Sequence, residues 1–279
     1  MSERSGRVVV VTGGTRGIGH GLARELLARD CLVVICGRSG PSVDAAVGVL
    51  SEAAPGRVSG VPADVTDRAS VEDLWNHAVA TFGRVDVWIN NAGLSSPRLP
   101  LPDVPADAVD AVVATNLVGA MNGCAVALAG LVGQPDGGWV WNMEGFGSSG
   151  QKQPGMAVYG ASKRAVTYLT EALVKEAKGG PVKIGFLSPG IVATDLLVDD
   201  YDGQPEAFEK ARKIFNILGD RVETVTPWLA ERVLAADKNG ARVAWLTTPK
   251  AMGRFMTAGF RKRDIFLEPA GDPVVTGAD

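Results

Sequence analysis

Short runs of apolar residues alternate along the chain with longer stretches in which apolar and polar residues follow a helical period. The runs read VVVVTG, CLVVICG, RVSGVPA, VDVWINNAG, GWVWNM, VKIGFLSPG and RVAWLTT. They are apolar on successive residues, which is typical of strands that are covered on both faces. The alternation therefore predicts one α/β domain, a doubly wound parallel sheet of about seven strands with helices on both faces.

The stretches between these runs carry the predicted helices. Their expected bounds are 18–29, 42–54, 70–82, 106–133 with a bend, 157–178, 206–217 and 223–236. An acidic stretch before the sixth of these helices predicts a mobile flap at about 195–218, and the residues after Thr248 break the alternation. We expect residues 1–248 to form one domain and residues 249–279 to form an extension beside the mouth of its site.

Composition favours a protein that acts on small molecules. The 279 residues are 46% hydrophobic and 21% charged, with a formal net charge of −3 and a pI near 5.5. A nucleic-acid-binding protein would usually carry a basic stripe, so that class is disfavoured. The cysteines Cys31, Cys36 and Cys124 have neither C-x-x-C spacing nor an even number, and we interpret them as reduced core thiols.

Three further features concern location and metals. The N-terminal run of valines is too short for a secretory signal or a transit peptide, which predicts a cytoplasmic location. The uncharged stretch 111–133 is interrupted by Asn116 and Asn122, so a buried helix is expected there rather than a membrane span. His20 and His77 have no partners at ligand spacing, so no metal site is predicted.

A glycine-rich turn joins the first strand to the first helix and reads TGGTRGIG over residues 12–19. Gly13 and Gly17 let the backbone turn tightly and approach a phosphate, while Gly19 lets helix and strand pack closely. The N-terminus of the helix attracts an anion. A strand, loop and helix in this order predict a dinucleotide site rather than a purely structural turn. The other loop residues expected at the dinucleotide are Thr15, Arg16 and Ile18.

The end of the second strand predicts which dinucleotide binds. An acidic residue there would accept the ribose hydroxyls, but this chain has Gly37 followed by Arg38. Arg38 and Arg16 can bind a 2′-phosphate, which favours NADPH over NADH; the alternative is that both are solvated surface residues. Asp64, followed by Val65, is expected to meet the adenine or else to cap the next helix.

The run VYGASK places Tyr159 and Lys163 four residues apart in a segment of helical pattern. Residues at this spacing share one face of a helix, so the phenol and the ammonium can point into the same site. A cation beside a phenol favours the phenolate, and we expect it to lower the pKa of Tyr159 toward working pH. A tyrosine in this state can give a proton to a carbonyl oxygen or take one back.

Five motifs follow one another along residues 7 to 247, namely TGGTRGIG, NNAG at 90–93, Asn116, YGASK and SPGIVATD. Together they resemble the short-chain dehydrogenase/reductase family. The resemblance implies a Rossmann-type domain in which Tyr159 acts as acid and base, Lys163 holds the nicotinamide ribose and Asn116 supports a water relay. The cofactor is then expected to be NADPH or NADP⁺.

The same resemblance implies further contacts and an assembly. The additional residues expected at the cofactor are Asn90, Ala92, Gly93, Pro189, Gly190, Ile191 and Thr194. Paired subunits are implied, as a homodimer or homotetramer, and small residues on one predicted helix would allow close contacts there. These small residues are Gly119, Ala120, Gly123 and Ala127.

One motif departs from the family pattern. The serine that the family places thirteen residues before the tyrosine is replaced by Phe146, and Glu144 replaces the first serine of the motif. We predict that Ser148 polarises the carbonyl of the substrate, and one such donor stabilises the developing negative charge by about 3 kcal/mol. The alternative is that Ser148 caps a glycine-rich turn. Glu144 is expected either to bind substrate or to accept backbone N–H bonds from the loop 145–150.

The same segments, with an L-T-x-P tail, look like the chlorophyll(ide) b reductase branch of this family over nearly the whole chain. That branch implies reduction of a formyl group on a large, flat tetrapyrrole. We expect an NADPH-dependent reductase that transfers hydride to the aldehyde or ketone of a bulky hydrophobic substrate. The alternatives are a non-catalytic NADPH-binding sensor or scaffold, suggested by the displaced serine, and alcohol oxidation in the reverse direction.

The tail after the last strand is both apolar and basic. Its residues are Arg254, Phe255, Met256, Phe260, Arg261, Lys262 and Arg263. We expect a helix that covers the mouth of the active site, and the alternative is peripheral contact with a membrane.

Overall fold

The computed structural model describes residues 6–259 and 263–267. Its centre is a seven-stranded sheet in which every neighbouring pair of strands is parallel. In chain order the strands of this sheet are β1 (Val8–Val11), β2 (Leu32–Gly37), β3 (Val58–Pro62), β4 (Val87–Asn90), β5 (Gly138–Met143), β6 (Val182–Ser188) and β9 (Arg242–Ala244). Their spatial order is β3-β2-β1-β4-β5-β6-β9, so the predicted doubly wound sheet is confirmed.

The predicted helices are all present, with ends within two residues of those expected. They are α1 (Gly17–Leu27), α2 (Gly40–Ala53), α3 (Arg68–Phe82), α4 (Ala106–Val113), α5 (Gly119–Val132), α6 (Ala157–Glu176), α8 (Pro205–Leu218) and α9 (Val222–Ala235). Helices α4 and α5 form the one long helix of the sequence analysis, and its expected bend is a π-helical turn at Ala114–Val118. Asp67 is the N-cap of α3, and its carboxylate accepts hydrogen bonds from the backbone N–H groups of Ala69 and Ser70.

The sequence pattern missed the short elements near the C-terminal ends of the strands. These are a 3₁₀ turn (Leu101–Asp103), the two-residue strands β7 (Val192–Ala193) and β8 (Asp220–Arg221), and helix α7 (Asp195–Asp199). Elements of two to five residues complete too little of a period to be recognised. The helix expected in the tail after the last strand is present as α10 (Thr248–Thr257).

Apolar side chains fill both faces of the sheet. One cluster joins β1, β2, β5 and β6 to α1 and α9, and a second joins the opposite face to α3 and α5. The ring centres of Trp139 and Trp141 stack 4.9 Å apart in the first cluster. Trp141 lies on Gly185, where a Cβ atom would come 2.3 Å from the indole. All three cysteines are free and buried.

Among the described residues, one helical stretch, Ala106–Val132, is long and apolar enough to cross a membrane. Half of its most apolar window is buried inside the protein. The core helix of a soluble protein meets the same criterion, so its length and composition are weak evidence for a membrane span.

The flap segment is helical, and the described part of the extension packs on it. An apolar cluster joins Tyr201 and Phe215 of the flap region to Ile265. Arg254 and Arg263 both form ion pairs with Asp220, which is 2% exposed. The extension therefore lies against α8, while Phe260, Arg261 and Lys262 of the predicted tail lie outside the described residues.

Candidate active site

The side chains of Tyr159 and Lys163 lie on one face of α6, near the C-terminal end of β5. Lys163 is 5% exposed, and its Nζ donates to Met143 O at 3.2 Å and lies 5.8 Å from the centre of the Tyr159 ring. The Tyr159 hydroxyl lies against Gly145, where a Cβ atom would come within 2.4 Å of it. The segment that follows β5 therefore forms the floor under the phenol.

The pKa values of this pair differ from the expectation. Burial raises the pKa of Tyr159 above its usual value, and Asp200 raises it further while Arg98 lowers it. Burial also lowers the pKa of Lys163 to about 8, against an opposing effect of Glu144. The predicted lowering of the Tyr159 pKa is thus wrong for this conformation. Removal of the phenolate from water raises the pKa by more than the positive charge of Arg98 lowers it.

Asn116 connects the site to the loop after β4. It lies in the π-helical turn and is 2% exposed. Its Oδ1 accepts from Leu94 N at 2.7 Å, and its Nδ2 donates to Leu94 O and to Ser162 Oγ at 2.8 and 2.9 Å. Ser162 Oγ in turn donates to Tyr159 O at 2.7 Å. Asn116 therefore fixes both the loop and the turn of α6 that carries the phenol.

The glycine-rich loop has the shape of a phosphate cradle. Gly13 and Gly17 have φ values of +63° and +56°, which side chains other than glycine rarely adopt. A Cβ atom on Gly19 would lie 2.2 Å from Gly13 O. Helix α1 starts at Gly17 without a side-chain cap, so its N-terminus is available to an anion. The loop therefore fits the pyrophosphate of a dinucleotide.

Residues after β4 support this loop from below. Asn91 Nδ2 donates to Thr12 O and Gly13 O at 2.9 and 3.0 Å, and Thr12 Oγ1 accepts from Ala92 N at 3.1 Å. A Cβ atom on Gly13 would lie 2.8 Å from Ala92 Cα. A Cβ atom on Gly93 would meet Asn116 and Lys163. Ala92 and Gly93 thus join the cradle to the tyrosine site.

The residues expected at the adenosine end lie in three different environments. Thr15 packs on Gly37 at the end of β2, and Arg38 is exposed beside it. Arg16 is exposed and pairs with Asp195 at 3.6 Å. Asp64 Oδ1 accepts from the backbone and the hydroxyl of Thr66, and the buried Val65 follows it. Asp67, rather than Asp64, caps α3, so the adenine contact of Asp64 stays a prediction.

The turn after β6 closes the cradle from the other side. Pro189 is buried, and Gly190 has a φ of +76° and faces Leu246. Ile191 packs in the flap cluster. The methyl group of Thr194 would lie 3.4 Å from a Cβ atom on Gly17, the residue before Ile18. The two glycine turns expected at the cofactor therefore face each other.

Ser148 is buried within the turn after β5. Its Oγ accepts from Gly145 N at 3.1 Å and donates to Lys163 O at 3.3 Å. The single hydroxyl proton is directed to a backbone carbonyl, which is the arrangement of the turn-capping alternative. Polarisation of a substrate by Ser148 stays a prediction that would require this bond to break.

Glu144 has partners that the sequence did not indicate. Its side chain is 2% exposed and forms an ion pair with Arg242, the first residue of β9. Its Oε1 also accepts from Thr167 Oγ1 at 3.2 Å. Because Thr167 lies one turn after Lys163, the carboxylate is placed below the ammonium. Neither alternative of the sequence analysis, a substrate contact or a bond to the loop 145–150, describes this arrangement.

The remaining site residues include one that the sequence predicted, Asn90, and two that it did not, Arg98 and Asp200. Asn90 is held in a buried network below the cradle, where its Nδ2 donates to Asn142 Oδ1 at 2.8 Å. Asn142 in turn donates to Thr170 Oγ1 at 2.9 Å. Arg98 and Asp200 were missed although their charges act on Tyr159, because they follow no motif in the sequence. No group of three His, Cys, Asp or Glu side chains in the described ranges could hold a metal ion.

This fold and this site define a class. The family model of the short chain dehydrogenases matches residues 7–204, and the chain belongs to that family. It is therefore an oxidoreductase of the kind that binds NAD(P)H. Two structural features agree with that membership. One is the glycine-rich loop, and the other is the site formed by Tyr159, Lys163 and Asn116.

Several known proteins are similar to this chain. Chlorophyll(ide) b reductase NOL of Arabidopsis thaliana is 37% identical over 84% of this chain and 67% of its own length. The probable chlorophyll(ide) b reductase NYC1 of the same plant is 34% identical over 92% of this chain and 54% of its length. This chain thus spans about two thirds and about half of these relatives. Their names are those of reductases and give no support to a non-catalytic role.

Solved structures share the fold. Levodione reductase is 26% identical with a TM-score of 0.79, covering 88% of this chain and 98% of its own. A metagenomic short-chain oxidoreductase in complex with NADP is 22% identical with a TM-score of 0.69, covering 87% and 97%.

The relatives correct one expectation. NOL and NYC1 of Arabidopsis thaliana, and their counterparts in Oryza sativa subsp. japonica, are chloroplastic proteins. The cytoplasmic location inferred from the N-terminal sequence conflicts with this and is withdrawn.

Proposed function

We propose that the protein is an NADPH-dependent reductase that converts the aldehyde or ketone of a bulky hydrophobic compound to an alcohol. A formyl group on a chlorophyll(ide) b-like tetrapyrrole is the substrate that its relatives' names suggest. The observation that carries the proposal is the contact of the Tyr159 hydroxyl with Gly145, in one site with Lys163 and Asn116.

In this mechanism Tyr159 gives its proton to the carbonyl oxygen as the carbon is reduced. A nicotinamide nucleotide held in the cradle would supply the hydride. After the transfer Tyr159 is a phenolate, and the ammonium of Lys163, whose pKa of about 8 lies near working pH, stabilises this negative charge. Asn116 holds the backbone of Leu94 and, through Ser162, the backbone of Tyr159, so the phenol keeps its position during the proton transfer.

The choice of NADPH rests on the end of β2. Gly37 leaves no carboxylate there, and the exposed Arg38 is free to bind a 2′-phosphate. Arg16, whose exposed guanidinium lies 3.6 Å from Asp195, has N–H donors left to add to this contact.

We also propose the two-part organisation and the assembly. Residues 1–248 form the catalytic domain, and residues 249–279 are a C-terminal extension that belongs near the mouth of the active site. The assembly is a homodimer or homotetramer built on α4 and α5, where apolar side chains remain exposed in the single chain. These side chains are Val113, Val118 and Met121.

The test compares Tyr159→Phe with Tyr168→Phe, which removes the hydroxyl of a tyrosine on the same helix that is 73% exposed. NADPH oxidation is followed by absorbance with a panel of carbonyl compounds that includes chlorophyllide b. Tyr159→Phe is expected to lower kcat by about 100-fold or more, since general acid catalysis contributes that much, while Tyr168→Phe keeps its activity. Undiminished turnover in Tyr159→Phe rules out this acid, and NADPH binding without any turnover by the wild type supports the sensor alternative.

A further inference from the structure

Buried polar atoms without a partner are concentrated in the loop after β4. Within the described ranges, five buried side-chain nitrogen or oxygen atoms have no hydrogen-bond partner, and three of them belong to Ser95, Ser96 and Arg98. Each such atom costs about 1–3 kcal/mol when it is left unpaired. The Ser95 hydroxyl nevertheless acts on Asp200 as a hydrogen-bond donor that lowers its pKa, so Ser95 and Arg98 both face the Asp200 carboxylate.

This loop starts at the reacting centre. Leu94, just before Ser95, is the residue whose backbone is held by Asn116. The backbone of Arg98 packs on Gly155, shortly before the start of α6. Arg98 lowers and Asp200 raises the pKa of Tyr159, so both charges lie within electrostatic reach of the phenol.

A carboxylate of the flap fills the place beside Arg98. Asp200 Oδ2 lies 3.7 Å from Arg98 Nη2, and the two side chains are 7% and 10% exposed. The guanidinium also lies 4.3 Å from the centre of the Tyr201 ring. A distance of 3.7 Å is too long for a hydrogen bond, so Asp200 supplies a charge without satisfying the donors of Arg98. Burial raises the pKa of Asp200 to about 6, against the opposing effects of a hydrogen bond from the Ser95 hydroxyl and of the Arg98 charge.

We propose that Asp200 occupies the place of a substrate carboxylate, and that Arg98, with the hydroxyls of Ser95 and Ser96, binds this carboxylate when the flap moves away. A carboxylate has four lone-pair directions and can accept from Nε and Nη2 of one guanidinium together with two hydroxyls. This inference rests on the proposed function and narrows it to carbonyl compounds that carry a free carboxylate at a distance from the reduced group.

The geometry favours a carboxylate over an uncharged acceptor for one reason. The group that now lies beside Arg98 is itself a carboxylate, and its departure with the flap leaves Arg98 without this counter-ion. A substrate carboxylate bound there restores the ion pair, and the bidentate guanidinium geometry suits it better than an uncharged acceptor.

The experiment measures binding to the NADP⁺-loaded full chain by calorimetry, so it does not depend on turnover. The probes are two matched pairs, chlorophyllide b with its methyl ester and 4-formylbenzoate with its methyl ester. The wild type is expected to bind at least one acid about 10- to 100-fold more tightly than its ester, the range of a hydrogen-bonded charge pair. Equal binding within both pairs, tighter binding of the esters, or no binding of any probe overturns the proposal.

Variants separate this site from a general effect of charge. Arg98→Met is expected to abolish the preference for the acid, and Ser95→Ala and Ser96→Ala, which leave the ion pair intact, to reduce it about threefold or more each. Asp200→Asn removes the competing carboxylate and is expected to tighten binding of the acid, whereas Asp199→Asn, at an exposed neighbour, is not. Arg98→Met/Asp200→Asn avoids an unpaired buried charge if Arg98→Met folds poorly. Retention of the full preference in all Arg98 and serine variants contradicts the proposal.

A failure here is distinguishable from failure of the proposed function. If the wild type oxidises no NADPH with any carbonyl compound, the proposed reductase function is rejected, whatever the preference for a carboxylate. Turnover with equal kcat/KM for acid and ester would keep the reductase and reject the carboxylate site.

Discussion

Arg242, at the start of β9, forms an ion pair across β6 with Glu144, which is buried at the end of β5. The guanidinium also lies 4.1 Å from the centre of the Phe186 ring on the intervening strand. This pair places a negative charge below Lys163, and that charge opposes the lowering of the Lys163 pKa by burial. The edge strand of the sheet is thereby connected to the electrostatics of the active site.

Arg242→Met is expected to destabilise the protein by about 3 kcal/mol, since it leaves the Glu144 carboxylate buried without its cation. Urea unfolding measures the change. Glu144→Gln/Arg242→Met should recover part of the loss, because the amide carries no charge to bury. Arg68→Met breaks an exposed pair with Glu72 and should cost no more than about 1 kcal/mol. Additive losses in the double variant would show that the two side chains do not interact.

Gly145→Ala is expected to lower kcat by about 100-fold, because the new Cβ atom would occupy space 2.4 Å from the Tyr159 hydroxyl and displace it. The dissociation constant of NADPH should change little, since the cradle is untouched. Steady-state kinetics and cofactor titration measure the two effects. Gly48→Ala on α2, with no atom within 4 Å of its Cβ position, is the matched control and should keep full activity. A fully active Gly145→Ala would contradict this position of the phenol.

Arg38→Ala is expected to raise KM for NADPH by about 10- to 100-fold and to leave KM for NADH unchanged, because only NADPH carries the 2′-phosphate. Parallel assays with the two cofactors give the ratio. Arg24→Ala, on the surface of α1, is a control for the loss of one positive charge. Equal effects of Arg38→Ala on both cofactors would indicate that this residue is only a solvated surface arginine.

Asp200→Asn is expected to change how stability depends on pH. The folded-state pKa of Asp200 is raised from 3.8 to about 6, so the folded protein binds its proton more tightly than the unfolded chain does. The wild type therefore loses stability relative to Asp200→Asn as the pH rises from about 4 to about 6, by up to roughly 3 kcal/mol. Urea unfolding at several pH values measures the difference. A constant difference across this range would show that Asp200 is not buried as described, and Asp199→Asn serves as the control.

Much of the fold could be read from the sequence because it is encoded locally. The strand runs and the long helices follow from periodicity, and their observed ends lie close to those expected. The two-residue strands and α7 were missed since they have no period of their own. The prediction for the pKa of Tyr159 failed for a different reason, because spacing shows which charge is near but does not show how much water is excluded.

The residue types and their spacing along the chain determined the parallel sheet, the glycine cradle and the position of Lys163 beside Tyr159, because each depends on neighbours within one strand, turn or helix. Only the tertiary structure decided how Glu144, Ser148, Arg98 and Asp200 are used. Glu144 meets Arg242, 98 residues away, through the order of three strands, and Ser148 gives its proton to the backbone of a helix that packs on its turn. A polar side chain acquires its role from the partner that folding brings to it, since an isolated charge or hydroxyl can pair equally well with water.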